Sequence, residues 1–381
     1  MKPLTILDTD MYKFSMGQAV LKKFPHARAK YRFVNRNPRQ VITPAMAERI
    51  QERVYEYIDA TLNDEEVNFL LGNCRYLQPW YVDWLQQFRL NPLHVKVYNS
   101  PTFSLEVEGP WCETIYWEVP LLAIITNQIM EAQPASVDFQ MQTDQAAQKL
   151  TALSNGLCSF AEFGTRRRYS YAVQDAVLRG LQGPNLVGTS NVHFAHKYGL
   201  RPIGTMAHEW IQAISGLVGL RHANKFALEA WNDVYNGDLG IALPDTFGSE
   251  AFFQDFDGMY SRLFDGVRHD SGDPLEFAKR TIEHYKAKRI DPTSKMIIFS
   301  DALNVAKCVE IKWQLTGKIG VSFGIGTHLT NDVPGTTPAN IVIKLVEIND
   351  IPVVKLSDDP GKAIGDSKAI DVAKWTFGIT T

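Results

Sequence analysis

The chain has 381 residues, of which 45% are hydrophobic and 21% charged, and its formal net charge at pH 7 is −3. These values are ordinary for a soluble globular protein, and they exclude the basic surface that nucleic-acid binding needs. The four cysteines form no C-x-x-C pair, so neither a zinc site nor a disulfide framework is indicated. The N-terminal residues lack the apolar core of a signal peptide, and the longest apolar run, 119–125, is too short to span a bilayer. We therefore expect a cytoplasmic protein with no nucleic-acid or membrane partner.

Residues 1–157 contain both helical and strand-like segments. The stretch 44–72 is polar with helical spacing, 76–88 is rich in tryptophan, and the runs HVKVY and FSLEV have the pattern of strands. Residues 111–130 are predicted to form one buried helix, because they are apolar over most of their length.

From residue 158 onward, short apolar runs alternate with helical patterns in seven predicted strand-then-helix units. The predicted strands are CSFAEF, PNLVG, RPIGT, LGIAL, YSRLF together with GVR, KMIIF, and IGVSF. Such alternation is typical of a parallel sheet with crossover helices. The number of units favours a closed (β/α) barrel, although the pattern also fits an open doubly wound sheet.

Polar residues collect at the carboxyl ends of these predicted strands. In α/β barrels the loops that follow the strands meet on one face and build the active site. The segment GVRHDSGDP at 266–274 illustrates this, because Asp273 and Pro274 have the types expected at a helix start. Arg268, His269 and Asp270 are then left to face the mouth of the barrel.

Two segments are predicted to bind anions. FGTRRR at 163–168 brings three arginines to a predicted helix start, where guanidinium groups and free amides suit phosphate or carboxylate; a solvated basic turn is the alternative. FGIGTHLT at 323–330 has the glycines of a tight phosphate loop and follows the last strand; a plain turn explains it equally well.

Several further polar residues at strand ends have two interpretations. Ser300 is either a helix cap or a site residue, and Asp301 beside it is predicted to contact ribose hydroxyls. Ser190 and Asn191 carry the same ambiguity, since both residue types cap helices.

His208, next to Glu209, is either a hydrogen-bonded histidine at a strand end or, among several predicted phosphate sites, a group that exchanges a proton or accepts a phosphoryl group. Its expected neighbours are Glu209 and the arginines at the mouth of the barrel. His193 and His196 have the i, i+3 spacing of metal ligands but no apparent third ligand, so we favour a structural role for them. From the residues alone, the prediction is a barrel that binds a ligand with more than one phosphate.

The order of the motifs resembles that of the nicotinate phosphoribosyltransferase family, in its barrel-type (type II) branch. The resemblance runs over nearly the whole chain and rests on LDTDMYKFSMGQAV, GPWCETIYWEVPLLAI, FGTRRR, GTSN, GTMAHEW, GVRHDSGDP, SFGIGT and KLSDDPGK. It implies an irregular (β/α) barrel over 131–337. It also implies a second α+β domain, built from residues 1–130 and the C-terminal tail 338–381.

The family's chemistry is implied in the same way. Nicotinate attacks C1 of phosphoribosyl pyrophosphate, nicotinate mononucleotide forms and pyrophosphate leaves. ATP hydrolysis is coupled to this step through a phosphorylated histidine, and ATP and Mg²⁺ are the expected cofactors. The family further implies a homodimer in which each partner completes the other's active site.

The resemblance also assigns roles to residues of this chain. His208 is the phosphorylated residue, and Phe163 stacks on the pyridine ring while Tyr12 of a partner chain covers its other face. Arg166 and Arg268 engage the nicotinate carboxylate or the phosphates.

Asp270 contacts the ribose and stabilises the positive charge that develops there. The 5′-phosphate is assigned to Gly324, Gly326 and Thr327. Ser190 stands where related nicotinamide-using enzymes carry an aspartate, which favours the acid over the amide. His269 is given no role.

Three other functions are compatible with the same motifs. Nicotinamide phosphoribosyltransferase and quinolinate phosphoribosyltransferase are the enzymatic alternatives, and a phosphosugar-binding barrel without catalysis is the third. Three measurements distinguish these functions from nicotinate phosphoribosyltransferase: which base is accepted, whether ATP is needed and whether turnover occurs.

Overall fold

The computed structural model describes residues 4–100 and 102–379. Its strands are β1 (Arg28–Asn35), β2 (Val95–Tyr98), β3 (Ser104–Pro110), β4 (Phe160–Glu162), β5 (Leu186–Thr189), β6 (Ile241–Ala242), β7 (Gly266–His269), β8 (Met296–Phe299), β9 (Gly320–Ile325), β10 (Ile341–Ile348) and β11 (Ile351–Pro352). Its α-helices are α1 (Met11–Lys23), α2 (Pro44–Glu56), α3 (Asp64–Asn73), α4 (Pro79–Gln87), α5 (Trp111–Thr114), α6 (Glu118–Glu131), α7 (Phe139–Asn155), α8 (Tyr171–Gly180), α9 (Val192–Tyr198), α10 (His208–Val218), α11 (Ala223–Tyr235), α12 (Ser249–Asp255), α13 (Gly258–Leu263), α14 (Pro274–Ala287), α15 (Val305–Leu315), α16 (Thr327–Thr330) and α17 (Ser367–Thr376). None of the helices among these residues is both long and apolar enough to cross a membrane.

One sheet joins the two ends of the chain. Within the described residues it has five strands in the order β11-β10-β1-β3-β2, and its pairings are antiparallel. Strand β1 lies between β10 and β3, with Asn35 opposite Ile341 and Arg28 opposite Pro110. The C-terminal tail is therefore part of the N-terminal sheet, as the resemblance implies.

The second sheet is parallel and is nearly closed into a ring. In the part of the chain described it has six strands in the order β5-β4-β9-β8-β7-β6. The irregular segment 201–205 bridges the edges: the Ile203 amide donates to the Thr189 carbonyl at 2.9 Å, and the Thr205 hydroxyl donates to the Ile241 carbonyl at 3.2 Å. The expected α/β fold with a second α+β domain is confirmed, while the domain boundaries near 130 and 338 stay a prediction.

Two of the strands predicted from the sequence do not form. RPIGT forms no strand, because only Thr189 of β5 pairs with it, through a single bridge to Pro202. YSRLF lies mostly in helix α13, whose first turn is capped by the Asp257 carboxylate accepting from the amides of Met259 and Tyr260. That cap and the burial of Tyr260 outweigh the strand-like composition.

Two predicted helices begin or continue differently. The single helix predicted at 111–130 is interrupted and forms α5 and α6, with Pro120 in the first turn of α6, where its missing N–H is not needed. The helix predicted near 166–182 starts only at α8, after the cap Ser170. The arginine run therefore lies in a 3-10 turn, Thr165–Arg167, and not at the start of a helix.

The segment 266–274 folds as predicted. Strand β7 ends at His269, the Asp273 carboxylate accepts from the amides of Leu275 and Glu276, and Pro274 is the first residue of α14. The carboxyl ends of β4 to β9 consequently open on one side, which is where the predicted site residues are expected to meet.

The N-terminal segment is attached to this side of the barrel by buried polar contacts. Arg168 donates to both carboxylate oxygens of Asp8, at 2.7 and 2.6 Å, and both side chains are almost fully buried. The Met11 amide donates to the Ser190 carbonyl at 2.7 Å. These contacts bring the start of α1, with Asp10 and Tyr12, to the carboxyl ends of β4 and β5.

Candidate active site

A cavity of about 960 Å³ is lined by the strands of the parallel sheet and by residues of β1 and β10. Its lining runs from the carboxyl ends of the strands, at Ser190 and Asp270, to their amino ends, at Met296 and Gly320. Seven of the predicted site residues line it: Tyr12, Phe163, Arg166, Ser190, His208, Arg268 and Asp270. The structure thus brings together the residues predicted for the base, for catalysis and for phosphorylation.

His208 begins helix α10 and points at two carboxylates. Its Nε2 lies 2.9 Å from Asp245 Oδ1 and 3.6 Å from Asp270 Oδ2. Burial, and then the Lys355 ammonium, lower the pKa of His208 to about 4, so the imidazole is neutral at pH 7. A neutral imidazole whose Nε2–H donates to Asp245 keeps its lone pair on Nδ1.

Asp245, which follows β6, is a residue that sequence reasoning missed. It accepts hydrogen bonds from the Ser271 hydroxyl at 2.7 Å and from His208, and it forms an ion pair of 3.1 Å with Lys355 of the C-terminal tail. Burial alone would raise the pKa of Asp245, but His208 and Lys355 outweigh it, so the carboxyl stays ionised. The sequence predicts Glu209 as a neighbour of His208, and this is wrong.

Asp270 is held in place by two neighbours. Arg268 Nη2 donates to Asp270 Oδ1 at 2.8 Å, and the Ser300 hydroxyl donates to the same oxygen at 2.8 Å. Arg268 Nε also donates to Ser300 Oγ, at 2.9 Å. Ser300 is therefore a positioning residue and not a helix cap, since Asn304 caps α15. Although burial raises it, the pKa of Asp270 lies well below its ordinary value, because Arg268, His208 and Lys355 favour the anion.

Two aromatic rings also line the cavity. Phe163 follows β4 and packs on Gly324 of β9, where a Cβ atom would come within 2.3 Å of the ring. Tyr12 of the same chain lines the cavity, with the Arg166 guanidinium 5.9 Å above its ring centroid. The resemblance assigns Tyr12 of a partner chain to the pyridine ring, and that assignment stays a prediction.

Ser190 contacts a carboxylate that the sequence does not single out. Its hydroxyl donates to Asp10 Oδ1 at 2.7 Å, and Arg166 Nε lies 3.8 Å from Asp10 Oδ2. Asn191, the alternative cap, accepts from the Phe194 amide and caps α9. Ser190 is therefore free of capping and belongs to the site.

A cluster of buried charges lies beside Arg166, whose Nη1 is 3.7 Å from Glu118 Oε1. The Lys13 ammonium is fully buried between Glu118, at 2.7 Å, and Glu209, at 2.5 Å. Glu209 also accepts from the Trp111 indole at 2.8 Å and from the Tyr31 hydroxyl. Glu209 thus belongs to this cluster and contacts Lys13, not His208.

Four predicted residues do not line the cavity. Asp301 forms an ion pair with Lys362 of the C-terminal tail at 3.1 Å. Gly324 lies within β9 and not in a tight turn, and Gly326 and Thr327 follow it at the start of the short helix α16. Their ribose and phosphate roles stay predictions.

The remaining histidines singled out in the sequence lie outside the cavity wall. His193 Nε2 is 3.0 Å from the Tyr171 hydroxyl, and the His196 ring packs on Phe69 with 4.9 Å between centroids. The prediction that His269 faces the mouth of the barrel is wrong, because its ring is buried against Phe277 and Phe299 and its Nε2 lies 3.2 Å from the carbonyl of Gly272. These contacts agree with the structural role expected for the first two.

Among the described residues, one group has the geometry to hold a metal ion: ligand atoms of His208, Asp245 and Asp270 lie within 4.8 Å of one another. Lys355 already supplies a positive charge, 3.1 Å from Asp245 and 4.0 Å from Asp270. Asp245 already has three polar partners, His208, Ser271 and Lys355, whereas Asp270 lines the cavity.

Comparison with known proteins identifies the family of the chain. The model of the nicotinate phosphoribosyltransferase (NAPRTase) family matches residues 158–381, and the model of the NAPRTase N-terminal domain matches residues 7–126. The chain belongs to the nicotinate phosphoribosyltransferase family. Both matched regions contribute to the cavity, the first with Phe163, Ser190 and His208 and the second with Tyr12.

Individual members of the family are similar over their full length. The nicotinate phosphoribosyltransferase of Methanosarcina mazei is 46% identical, over 98% of each chain, and that of Chromohalobacter salexigens is 47% identical, over 99% of this chain and 98% of the other. The crystal structure of the Porphyromonas gingivalis enzyme superposes with a TM-score of 0.96, at 39% identity, over 99% of this chain and all of the other. That of the Vibrio cholerae enzyme gives 0.93 at 33% identity, over 99% and 94%.

Proposed function

We propose that this chain is a nicotinate phosphoribosyltransferase coupled to ATP. It joins nicotinate to phosphoribosyl pyrophosphate and forms nicotinate mononucleotide and pyrophosphate, the first step of NAD salvage from nicotinate. The observation that carries the proposal is one cavity whose lining includes two aromatic rings, those of Phe163 and Tyr12, together with His208, Arg268 and Asp270. Full-length relatives at 46–47% identity carry this enzyme's name.

The two aromatic rings in the cavity wall suit a pyridine ring. Phe163 and Tyr12 offer ring faces for stacking, and Arg166 offers a guanidinium for a carboxylate or phosphate oxygen. The pyridine nitrogen attacks C1 of the ribose directly. It needs no general base because it carries no proton.

Asp270 and Arg268 suit the departure of pyrophosphate. As the C1–O bond breaks, positive charge grows on the ribose ring, and the ionised Asp270 stabilises it, while guanidinium N–H groups stabilise the leaving oxygens. Mg²⁺ supplies further charge neutralisation on the pyrophosphate when it is bound. Asp270 is the carboxylate that would hold it, since Mg²⁺ in such sites uses one or two carboxylates together with phosphate oxygens.

His208 suits the role of phosphoryl acceptor. Its neutral Nδ1 attacks the γ-phosphorus of ATP, the N–P bond forms, the bond to the bridging oxygen breaks, and ADP leaves. Asp245 holds the proton of Nε2 and stabilises the positive charge that grows on the ring. Water later cleaves the N–P bond and releases phosphate.

Product analysis tests the proposal. The purified protein is incubated with nicotinate, phosphoribosyl pyrophosphate and Mg²⁺, with and without ATP, and nicotinamide and quinolinate replace nicotinate in parallel reactions. We expect nicotinate mononucleotide, with more product when ATP is present. Preference for nicotinamide, release of CO₂ from quinolinate, or ligand binding without turnover would each favour one of the alternatives.

We also propose a cytoplasmic homodimer, as the resemblance implies. Since Tyr12 of the same chain lines the cavity, shared active sites are not needed to bring this ring to the base. Sedimentation combined with activity measured over a dilution series tests the proposal. Activity per chain that stays constant as the dimer dissociates would show that each chain works alone.

A further inference from the structure

Asp10 is a buried carboxylate in the wall of the cavity, beside the residue expected to read the base. It is 2% exposed and lines the cavity together with Ser190, Tyr12 and Phe163. The interpretation of Ser190 given above assumes that a serine keeps carboxylates away from nicotinate. The structure contradicts this assumption, because Asp10 Oδ1 lies 2.7 Å from Ser190 Oγ.

The direction of this hydrogen bond determines what Ser190 offers to a ligand. A serine hydroxyl has one proton to donate and two lone pairs that accept. While Asp10 is ionised it can only accept, so it uses the single proton of Ser190. Ser190 then presents lone pairs to the cavity, which suit the N–H donors of an amide and repel the oxygens of a carboxylate.

A proton on Asp10 reverses this direction. The carboxyl O–H then donates to Ser190 Oγ, and the serine proton becomes free to point at the ligand. In this form Ser190 donates to a carboxylate. The same two residues therefore favour an amide when Asp10 is ionised and an acid when Asp10 is protonated.

We propose that Asp10 is a specificity-determining residue of this chain: it takes up a proton as nicotinate binds, and the protonated carboxyl turns the Ser190 hydroxyl toward the nicotinate carboxylate. The inference rests on the proposed function. One proton comes from solvent for each nicotinate bound and returns when the product leaves.

The surroundings of Asp10 make this protonation accessible. Burial raises the pKa of Asp10, whereas Arg166, Ser190 and a hydrogen bond from Thr165 lower it, and the net pKa lies above the ordinary value. The first turn of α1 also favours the anion, although the Asp10 side chain makes no capping hydrogen bond. The charged and titratable groups that act on Asp10 are Arg166, Glu118, Tyr12 and Glu162.

Binding of nicotinate itself favours the protonation of Asp10. Its carboxylate enters a wall that already holds Asp10 and Glu118, and a nearby negative charge raises the pKa of a carboxyl group. By linkage, a ligand that raises this pKa binds more tightly as the pH falls. Nicotinamide carries no charge and does not raise it, so the preference for the acid should decrease as the pH rises.

Lys344 is the group most able to imitate this pH dependence. It lines the cavity, and burial lowers its pKa to about 8, so it loses its charge within the pH range of the experiment described below. The effect of Asp10 must therefore be measured as a difference between the wild type and Asp10→Asn, in which Lys344 is unchanged. An asparagine amide donates to Ser190 Oγ as a protonated Asp10 would.

The experiment measures protons and selectivity together. Nicotinate is titrated into wild type, Asp10→Asn and Ser190→Ala by calorimetry, in two buffers of different ionisation enthalpy, from pH 6 to pH 9. The KM of nicotinate and the inhibition constant of nicotinamide are measured over the same range. Asp233→Asn, in the exposed ion pair with Lys23, is the matched control and should behave as wild type.

We expect the wild type to take up to one more proton per nicotinate than Asp10→Asn does. At pH 8.5, Asp10→Asn should prefer nicotinate over nicotinamide more strongly than the wild type does, and this difference should grow with pH, because the wild type must first protonate Asp10. Ser190→Ala should lose the preference at every pH.

Equal proton uptake in wild type and Asp10→Asn overturns the inference, and so does a loss of nicotinate preference in Asp10→Asn. Ser190→Ala takes the place of Asp10→Asn if the latter variant does not fold. The inference is then overturned if the selectivity of Ser190→Ala changes with pH as that of the wild type does. Failure of the proposed function is a separate result, because it appears as a wild type that makes no nicotinate mononucleotide.

Discussion

Asp245→Asn is the substitution that separates the phosphoryl step from the transfer at C1. The asparagine amide keeps an oxygen for the Nε2–H of His208 but loses the charge that stabilises a positive ring during attack on phosphorus. In the native chain, Asp245 contacts His208 at 2.9 Å, Ser271 at 2.7 Å and Lys355 at 3.1 Å. The substitution also leaves Lys355 with only Asp270, at 4.0 Å, as a carboxylate partner among the described residues.

The size of the effect follows from one lost charge-assisted hydrogen bond. Hydrogen bonds to charged groups contribute about 1.5–3 kcal/mol, and every 1.4 kcal/mol corresponds to about a tenfold change. We therefore expect phosphoryl transfer from ATP to His208 to slow by roughly 10- to 100-fold. Synthesis of nicotinate mononucleotide without ATP should change much less, because it depends on Asp270 and Arg268.

The assay is a single-turnover reaction with γ-labelled ATP. The acid-labile, base-stable phosphoryl group on the protein is counted over time, and product formed without ATP is measured on the same preparations. Labelling at the wild-type rate would refute the assignment of Asp245 as the partner of His208. An equal decrease in both rates would show that Asp245 only maintains the fold of the cavity.

Three further outcomes are expected. Arg166→Lys should lower kcat/KM for phosphoribosyl pyrophosphate by about tenfold with an unchanged melting temperature, because lysine keeps the charge but loses the two-pronged donor; unchanged kinetics would show that Arg166 does not bind this substrate. His208→Ala should lose the label and the ATPase activity but keep some synthesis without ATP, and ATP hydrolysis that still follows product formation would show that another residue accepts the phosphoryl group. Asp8→Asn should lower the free energy of unfolding in urea by about 3–5 kcal/mol, because it leaves the Arg168 guanidinium buried without its charge partner, whereas Asp233→Asn should change it by less than about 1 kcal/mol.

Sequence reasoning finds the side of the barrel that carries the site because that inference depends on topology alone. Parallel strands place their carboxyl ends on the same side, so Phe163, Ser190 and Asp270 converge although they are far apart in the chain. At these positions the polar or aromatic residue type also indicates a binding site. The irregular closure at 201–205 is not predictable, because its hydrogen bonds come from the geometry of the ring and not from a local pattern.

The errors have physical causes that can be stated for each residue. His208 and Glu209 are adjacent in sequence, but consecutive helical residues point about 100° apart, so Glu209 reaches Lys13 and not His208. Asp245 is visible as the polar end of the strand LGIAL, yet nothing local connects it with His208. Gly324 has the type expected in a phosphate loop, although its lack of a side chain is needed where Phe163 packs on it.

The pairing of β1 with β10 has a consequence for how the protein is made. More than 300 residues separate Arg28–Asn35 from Ile341–Ile348, and the tail that follows β10 brings Lys355 to Asp245. At about 5–20 residues per second on the ribosome, the N-terminal sheet waits for tens of seconds before its partner strand is synthesised. During synthesis one edge of β1 is therefore exposed, and that interval is when the chain is most open to strand pairing with other molecules. The contact between Lys355 and Asp245 forms only after residue 355 of the 381 has emerged.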